Sequence, residues 1–120
     1  MPNPPHYSPV IKSGDFIITS GQLPIINRAT KEVPAGIAAQ TRVVLQKVED
    51  IMKQYGLTKR HIIKTTAFIT DIANWDEVND VYASFFGADY KPARSILPIN
   101  SLHYGCLIEL EAIGSFTLPE

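Results

Sequence analysis

The chain has 120 residues, 45% of them apolar, which is enough for one domain core and too little for two. Its formal net charge of -1, with eleven scattered basic residues, argues against nucleic acid as the main partner, because counterion-release binding needs clustered Lys and Arg. No apolar run approaches the roughly 18 residues of a membrane span, and the first residues lack the basic and apolar regions of a signal peptide, so a cytoplasmic protein without a membrane partner is expected.

Pro2, Pro4, Pro5 and Pro9 keep the N-terminal arm out of helix and favour an extended course. Lys12-Ser13-Gly14-Asp15 reads as a hairpin turn between a short strand near Val10 and a second one over residues 16–20, rich in β-branched and aromatic side chains. From Ile37, the apolar positions Val44, Leu45, Val48, Ile51, Met52 and Tyr55 recur at helical spacing, and Gly56 stands where a C-terminal glycine cap belongs. Residues 62–70 form a strand by composition, with Ile62, Lys64, Thr66 and Phe68 on one face and Ile63, Thr65, Ala67 and Ile69 on the other.

Asn74 and Glu77 resemble a capping box, and Trp75, Val78, Val81, Tyr82 and Phe85 make one core-facing stripe before Gly87 stops the helix. Two last strands, Ser95 to about Ile99 and Leu107 to Ile113, flank a turn at His103-Tyr104-Gly105. This order predicts an α+β fold, one sheet with two helices on one face. The strands carry apolar side chains on both faces, so a homo-oligomer is expected to cover the second face. The lone Cys106 cannot form an internal disulfide, and His6, His61 and His103 lie far apart, so no metal site is expected.

Arg94, in Pro92-Ala93-Arg94-Ser95, and Glu109, fifteen positions later, fall on what reads as a terminal β-hairpin. Centred near Ser101 and Leu102, that hairpin makes them cross-strand neighbours about 5 Å apart. Spacing alone fits a plain cross-strand ion pair. It also fits a site in which the guanidinium fork holds a substrate carboxylate and the glutamate takes a proton from water, hydrolysing a small anionic C=N compound.

Several stretches together resemble the Rid (YjgF-type) family. They are Phe16-Ile17-Ile18-Thr19-Ser20-Gly21-Gln22-Leu23-Pro24, Val33-Pro34, Ile37-Ala38-Ala39-Gln40-Thr41, Val78-Asn79-Asp80-Val81-Tyr82 with Phe85-Phe86, Pro92-Ala93-Arg94-Ser95, and Ile108-Glu109-Leu110-Glu111-Ala112-Ile113. In order and spacing they cover nearly the whole chain as a single domain. The resemblance implies a chorismate-mutase-like fold assembled as a homotrimer around a central barrel, with inter-subunit sites. It implies hydrolytic deamination of reactive enamines or imines, such as 2-iminobutanoate and 2-iminopropanoate, to 2-keto acids and ammonia, without a cofactor. Arg94 would bind the substrate carboxylate, Glu109 would position or activate water, and Tyr7 of the arm would close the pocket.

Backbone near Gly36 and residues 19–21 is a further candidate for substrate contact, because glycine permits close approach. Glu111, on the same strand face as Glu109, reads as structural, and Asn79 and Tyr82 read as residues that hold the fold together. The chain departs from the family in having Ile96 where many relatives have cysteine, Pro98 within a strand, Leu102-His103 for Leu-Pro, and Pro5-His6-Tyr7 for Gly-Pro-Tyr. Pro98 marks an edge strand or bulge, Cys106 a small buried apolar residue, and His103 a surface turn residue or a proton shuttle at the pocket mouth. The rival readings are a non-catalytic regulatory trimer that binds a small carboxylate and, attached to the family by older descriptions, an endoribonuclease or translation inhibitor.

Overall fold

The structure, a computed structural model, describes residues 2–120. The first hairpin pairs β1 (Val10–Ser13) with β2 (Phe16–Thr19) across a tight turn in which Gly14 has φ +58°, a left-handed conformation that glycine adopts at little cost. Helix α1 (Ile37–Gln54) then buries Val44, Leu45, Val48 and Met52, and the chain leaves it through Gly56 at φ +75°. The expected stripe and glycine stop are both there.

Strand β3 (Ile62–Ile69) follows, then α2 (Trp75–Phe86), β4 (Ala93–Pro98) and β5 (Ile108–Ser115). They form one mixed sheet in the order β1-β2-β5-β3-β4, with both helices on the same face. Core side chains come from alternate strand positions that meet the helices, among them Ile17, Thr65, Ala67, Ile69, Ile108 and Leu110. The α+β arrangement therefore agrees with the sequence reading.

Pairing differs from it. β4 lies parallel to β3, joined through the α2 crossover, and β5 runs antiparallel along the other side of β3. The last two strands are thus not a hairpin: β3 separates them. A parallel neighbour requires a crossover connection, and α2 supplies it, leaving the opposite side of β3 for β5. β4 is the sheet edge, and Pro98 is its last residue, as its missing N–H donor demands.

Three local expectations are also corrected. Asn74 makes no side-chain cap; the chain enters α2 through a 3-10 turn at Ile72–Asn74, where the Asp71 carboxylate accepts from the Ala73 N–H at 2.9 Å. A register shift between Ile62 and Lys64 turns Ile62 into the core, away from the face of Lys64, Thr66 and Phe68. Trp75 does not join the core stripe and is 38% exposed, whereas Val78, Val81 and Tyr82 are buried. Cys106 is buried, as its small apolar character predicts.

Candidate active site

Arg94 stands on edge strand β4 opposite Thr65, whose hydroxyl meets the Tyr82 hydroxyl of α2 at 2.8 Å, so Arg94 shares the helix-covered face. Its side chain is half-buried and held from three directions. An Nη1–H donates to the Asn79 Oδ1 at 2.9 Å, and the guanidinium lies over the rings of Trp75 and Tyr82, 5.1 and 4.9 Å from their centroids. Burial pushes the Tyr82 phenol up to about 12, so it stays a neutral hydroxyl beside the cation. Since arginine carries five N–H donors in a fixed fork, one bond to Asn79 leaves others for a ligand.

Asn79 and Tyr82, which the sequence marks as fold residues, and Trp75, which it marks as core, all grip Arg94. The signal was present in the sequence, because positions 75, 79 and 82 share one side of a helix. What was absent was knowledge that β4 packs beneath that side. Together with the segment following α2, Arg94, Asn79 and Tyr82 line a cleft of about 570 Å³.

Glu109 is elsewhere. It stands on β5 opposite Phe68, three positions along β3 from Thr65, and therefore points to the helix-free face. Two strand spacings and three residues put the Arg94 and Glu109 Cα atoms about 14 Å apart, on opposite faces of the sheet. The expected cross-strand neighbourhood within one chain, whether as ion pair or as site, does not exist.

A second group collects around Glu109 instead. Gln22 exchanges backbone hydrogen bonds with Leu110, at 2.7 and 3.0 Å, which draws Gly21 alongside β5. A Cβ on Gly21 would stand 2.7 Å from the Glu109 Cδ, so glycine is required for the carboxylate to lie there. The N-terminal arm is tied to the same place: the Ser20 hydroxyl donates to the Ser8 carbonyl at 2.6 Å and the Ser20 N–H to that of Pro9 at 2.9 Å.

Tyr7, just before this anchor, is 67% exposed and leads into β1, at the sheet edge opposite β4. Thr19 is spent structurally, its hydroxyl accepting from the Ala112 N–H at 3.0 Å. Gly36 precedes α1 with φ +88°, a conformation that strains other residues. The Gln40 side chain, one turn on, ties this entry to Pro34 and Leu107 at 2.9 and 2.8 Å, just ahead of β5. These bonds tie the start of α1 to the residue just before β5, the strand that carries Glu109.

Burial, followed by the like charge of Glu111, pushes the Glu109 carboxyl above the ordinary carboxylate range, and His103 opposes the shift. His103 itself is exposed in the 3-10 turn before β5. Among the described residues, no group of three or more His, Cys, Asp or Glu side chains is placed to hold a metal ion.

Comparison with known proteins bears on the family and the fold. The family model described as Endoribonuclease L-PSP matches residues 2–115. A protein of Escherichia coli K12 named 2-iminobutanoate/2-iminopropanoate deaminase is 43% identical over 104 residues, covering 84% of this chain and 80% of its own. A RutC family protein of Pyrococcus horikoshii is 37% identical over 108 residues, covering 90% and 85%. The crystal structure of the YjgF gene product from E. coli superposes with a TM-score of 0.84 at 40% identity, covering 92% and 88%. The chain belongs to the Endoribonuclease L-PSP family, also called the YjgF/Rid family.

Proposed function

We propose that this chain is an enamine/imine deaminase that hydrolyses 2-imino acids such as 2-iminobutanoate and 2-iminopropanoate to 2-keto acids and ammonia. The observation that carries the reading is Arg94, a guanidinium clamped by Asn79, Trp75 and Tyr82 at the wall of a cleft, suited to a small carboxylate. Water adds to C2 of the bound imine while Glu109 moves one of its protons to nitrogen, and the hydroxyl proton of the resulting carbinolamine follows by the same route as the C–N bond breaks, leaving the keto acid and ammonia. An imine is already electrophilic, so the reaction calls for no cofactor. The name of the E. coli relative supports this substrate class.

Because Arg94 and Glu109 are far apart in one chain, the proposed site is built between subunits: Arg94 from one protomer, and Glu109 with Gly36 and the Tyr7 arm from the next. The helix-free sheet face supports assembly, since it carries exposed Ile11, Phe16, Ile18 and Leu97. A cytoplasmic homotrimer, with these faces enclosing a central barrel, satisfies both requirements. Sedimentation equilibrium should return three times the chain mass of 13.3 kDa.

The deciding experiment couples the protein to a threonine or serine dehydratase and follows 2-ketobutyrate or pyruvate. Faster keto-acid release supports a deaminase. Binding of 2-ketobutyrate by calorimetry without any acceleration supports instead a carboxylate sensor, a reading favoured by the distance between Arg94 and Glu109 in one protomer. The endoribonuclease in the family's description finds no support in a chain of net charge -1.

The pH profile gives an independent check. Glu109 must be ionised to accept a proton, and its pKa is raised, so kcat/KM should fall on acidification through a limb lying above the ordinary glutamate value of 4.5. Glu111→Gln removes the neighbouring like charge and should move that limb to lower pH. A limb unmoved by this substitution assigns it to another group.

A further inference from the structure

The cleft beside Arg94 is larger than the smallest imino acids need. In a single protomer, before a neighbouring subunit adds its side of the site, the cleft has a volume of about 570 Å³, whereas 2-iminopropanoate has only a handful of heavy atoms. Beyond the guanidinium the lining turns aromatic: Tyr82, Phe86 and Tyr90 follow one another with ring centroids 5.9 and 6.3 Å apart, all edge-on or tilted. Their polar ends are already engaged, the Tyr82 hydroxyl with Thr65 and the Tyr90 hydroxyl with the Ile62 carbonyl, so these two residues offer the cleft mainly ring carbon. Ala83 and Ala88 leave the remaining space open.

Resting on the carboxylate-binding role proposed for Arg94, we infer that this aromatic wall receives the substrate side chain, and that the chain prefers 2-imino acids with branched or aromatic side chains over those of three or four carbons. With the carboxylate held at Arg94, the side chain of such a substrate extends along the rings of α2 and the segment after it. The reaction is the same addition of water and loss of ammonia. Selectivity comes from apolar area removed from water, where each well-accommodated methylene changes kcat/KM by roughly fourfold to tenfold.

An amino-acid oxidase supplied with alanine, leucine, phenylalanine or glutamate delivers the corresponding imines in situ, and trapping of the unhydrolysed imine reports how fast the protein removes each. The leucine- and phenylalanine-derived imines should show kcat/KM at least tenfold above the alanine-derived imine. Ala83→Phe, a change at an exposed helix position that projects a ring into the cleft, should lower that ratio about tenfold.

Hydrolysis of the alanine-derived imine with no gain for the larger ones overturns this inference and leaves the deaminase reading standing. A preference for the glutamate-derived imine also overturns it, because Lys91 at the rim would then be selecting a second carboxylate. A ratio unmoved by Ala83→Phe places the side chain elsewhere. No acceleration with any imine removes both readings together.

Discussion

Arg94→Ala is expected to lower kcat/KM for 2-iminobutanoate about a thousandfold. A charged, bidentate hydrogen-bonded pair contributes about 1.5–3 kcal/mol per bond, and two such bonds correspond to a factor of roughly 10² to 10⁴. Most of the loss should fall on KM, because the carboxylate is held equally in the ground and transition states. Arg94→Lys restores the charge without the fork and should recover only part of the loss.

The fold should tolerate the truncation. Arg94 sits half-buried on the edge strand, its side-chain hydrogen bond goes to Asn79, and its remaining contacts are ring faces, so a stability change of about 1 kcal/mol is expected by urea denaturation. Wild-type kinetics in a folded Arg94→Ala protein would take the guanidinium out of the site.

Glu109→Gln should reduce kcat by a factor of roughly 10² to 10⁴, the ordinary contribution of a positioned proton acceptor. The amide keeps the shape that lies over Gly21, so packing is conserved. The more telling result comes from mixing. If each site takes Arg94 from one protomer and Glu109 from the next, Arg94→Ala and Glu109→Gln chains refolded together at equal ratio should regain about a quarter of wild-type activity, since random assortment in a cyclic trimer leaves that share of interfaces with both native residues. Each variant refolded alone stays inactive. Absence of recovery in trimers shown to be mixed would place both residues in one protomer's site, against the 14 Å separation estimated from strand geometry.

Local patterns in the sequence had local outcomes. The α1 stripe and its Gly56 stop, the Gly14 turn and the edge position of Pro98 each follow from a preference expressed within a few residues: a helical period, a positive φ, a missing N–H. Arg94 and Glu109 could be singled out on the same footing, as an arginine and a carboxylate on strands, together with the resemblance to a known family. The details that differ are short-range too: Asp71 caps one turn earlier than Asn74, and one register shift moves Ile62 to the other face.

Strand partnership was not written locally. Nothing in residues 93–113 distinguishes a hairpin from two strands on either side of a third, because β-strand periodicity marks faces and not neighbours. The α2 crossover settled it by returning β4 parallel to β3, and this sent Arg94 to the helix side, under Trp75, Asn79 and Tyr82, and Glu109 to the open face beside Gly21. The sequence by itself singled out Arg94 and Glu109 as polar candidates on strands, whereas which residues meet was decided by tertiary structure, since long-range pairing depends on how the whole sheet buries its apolar face.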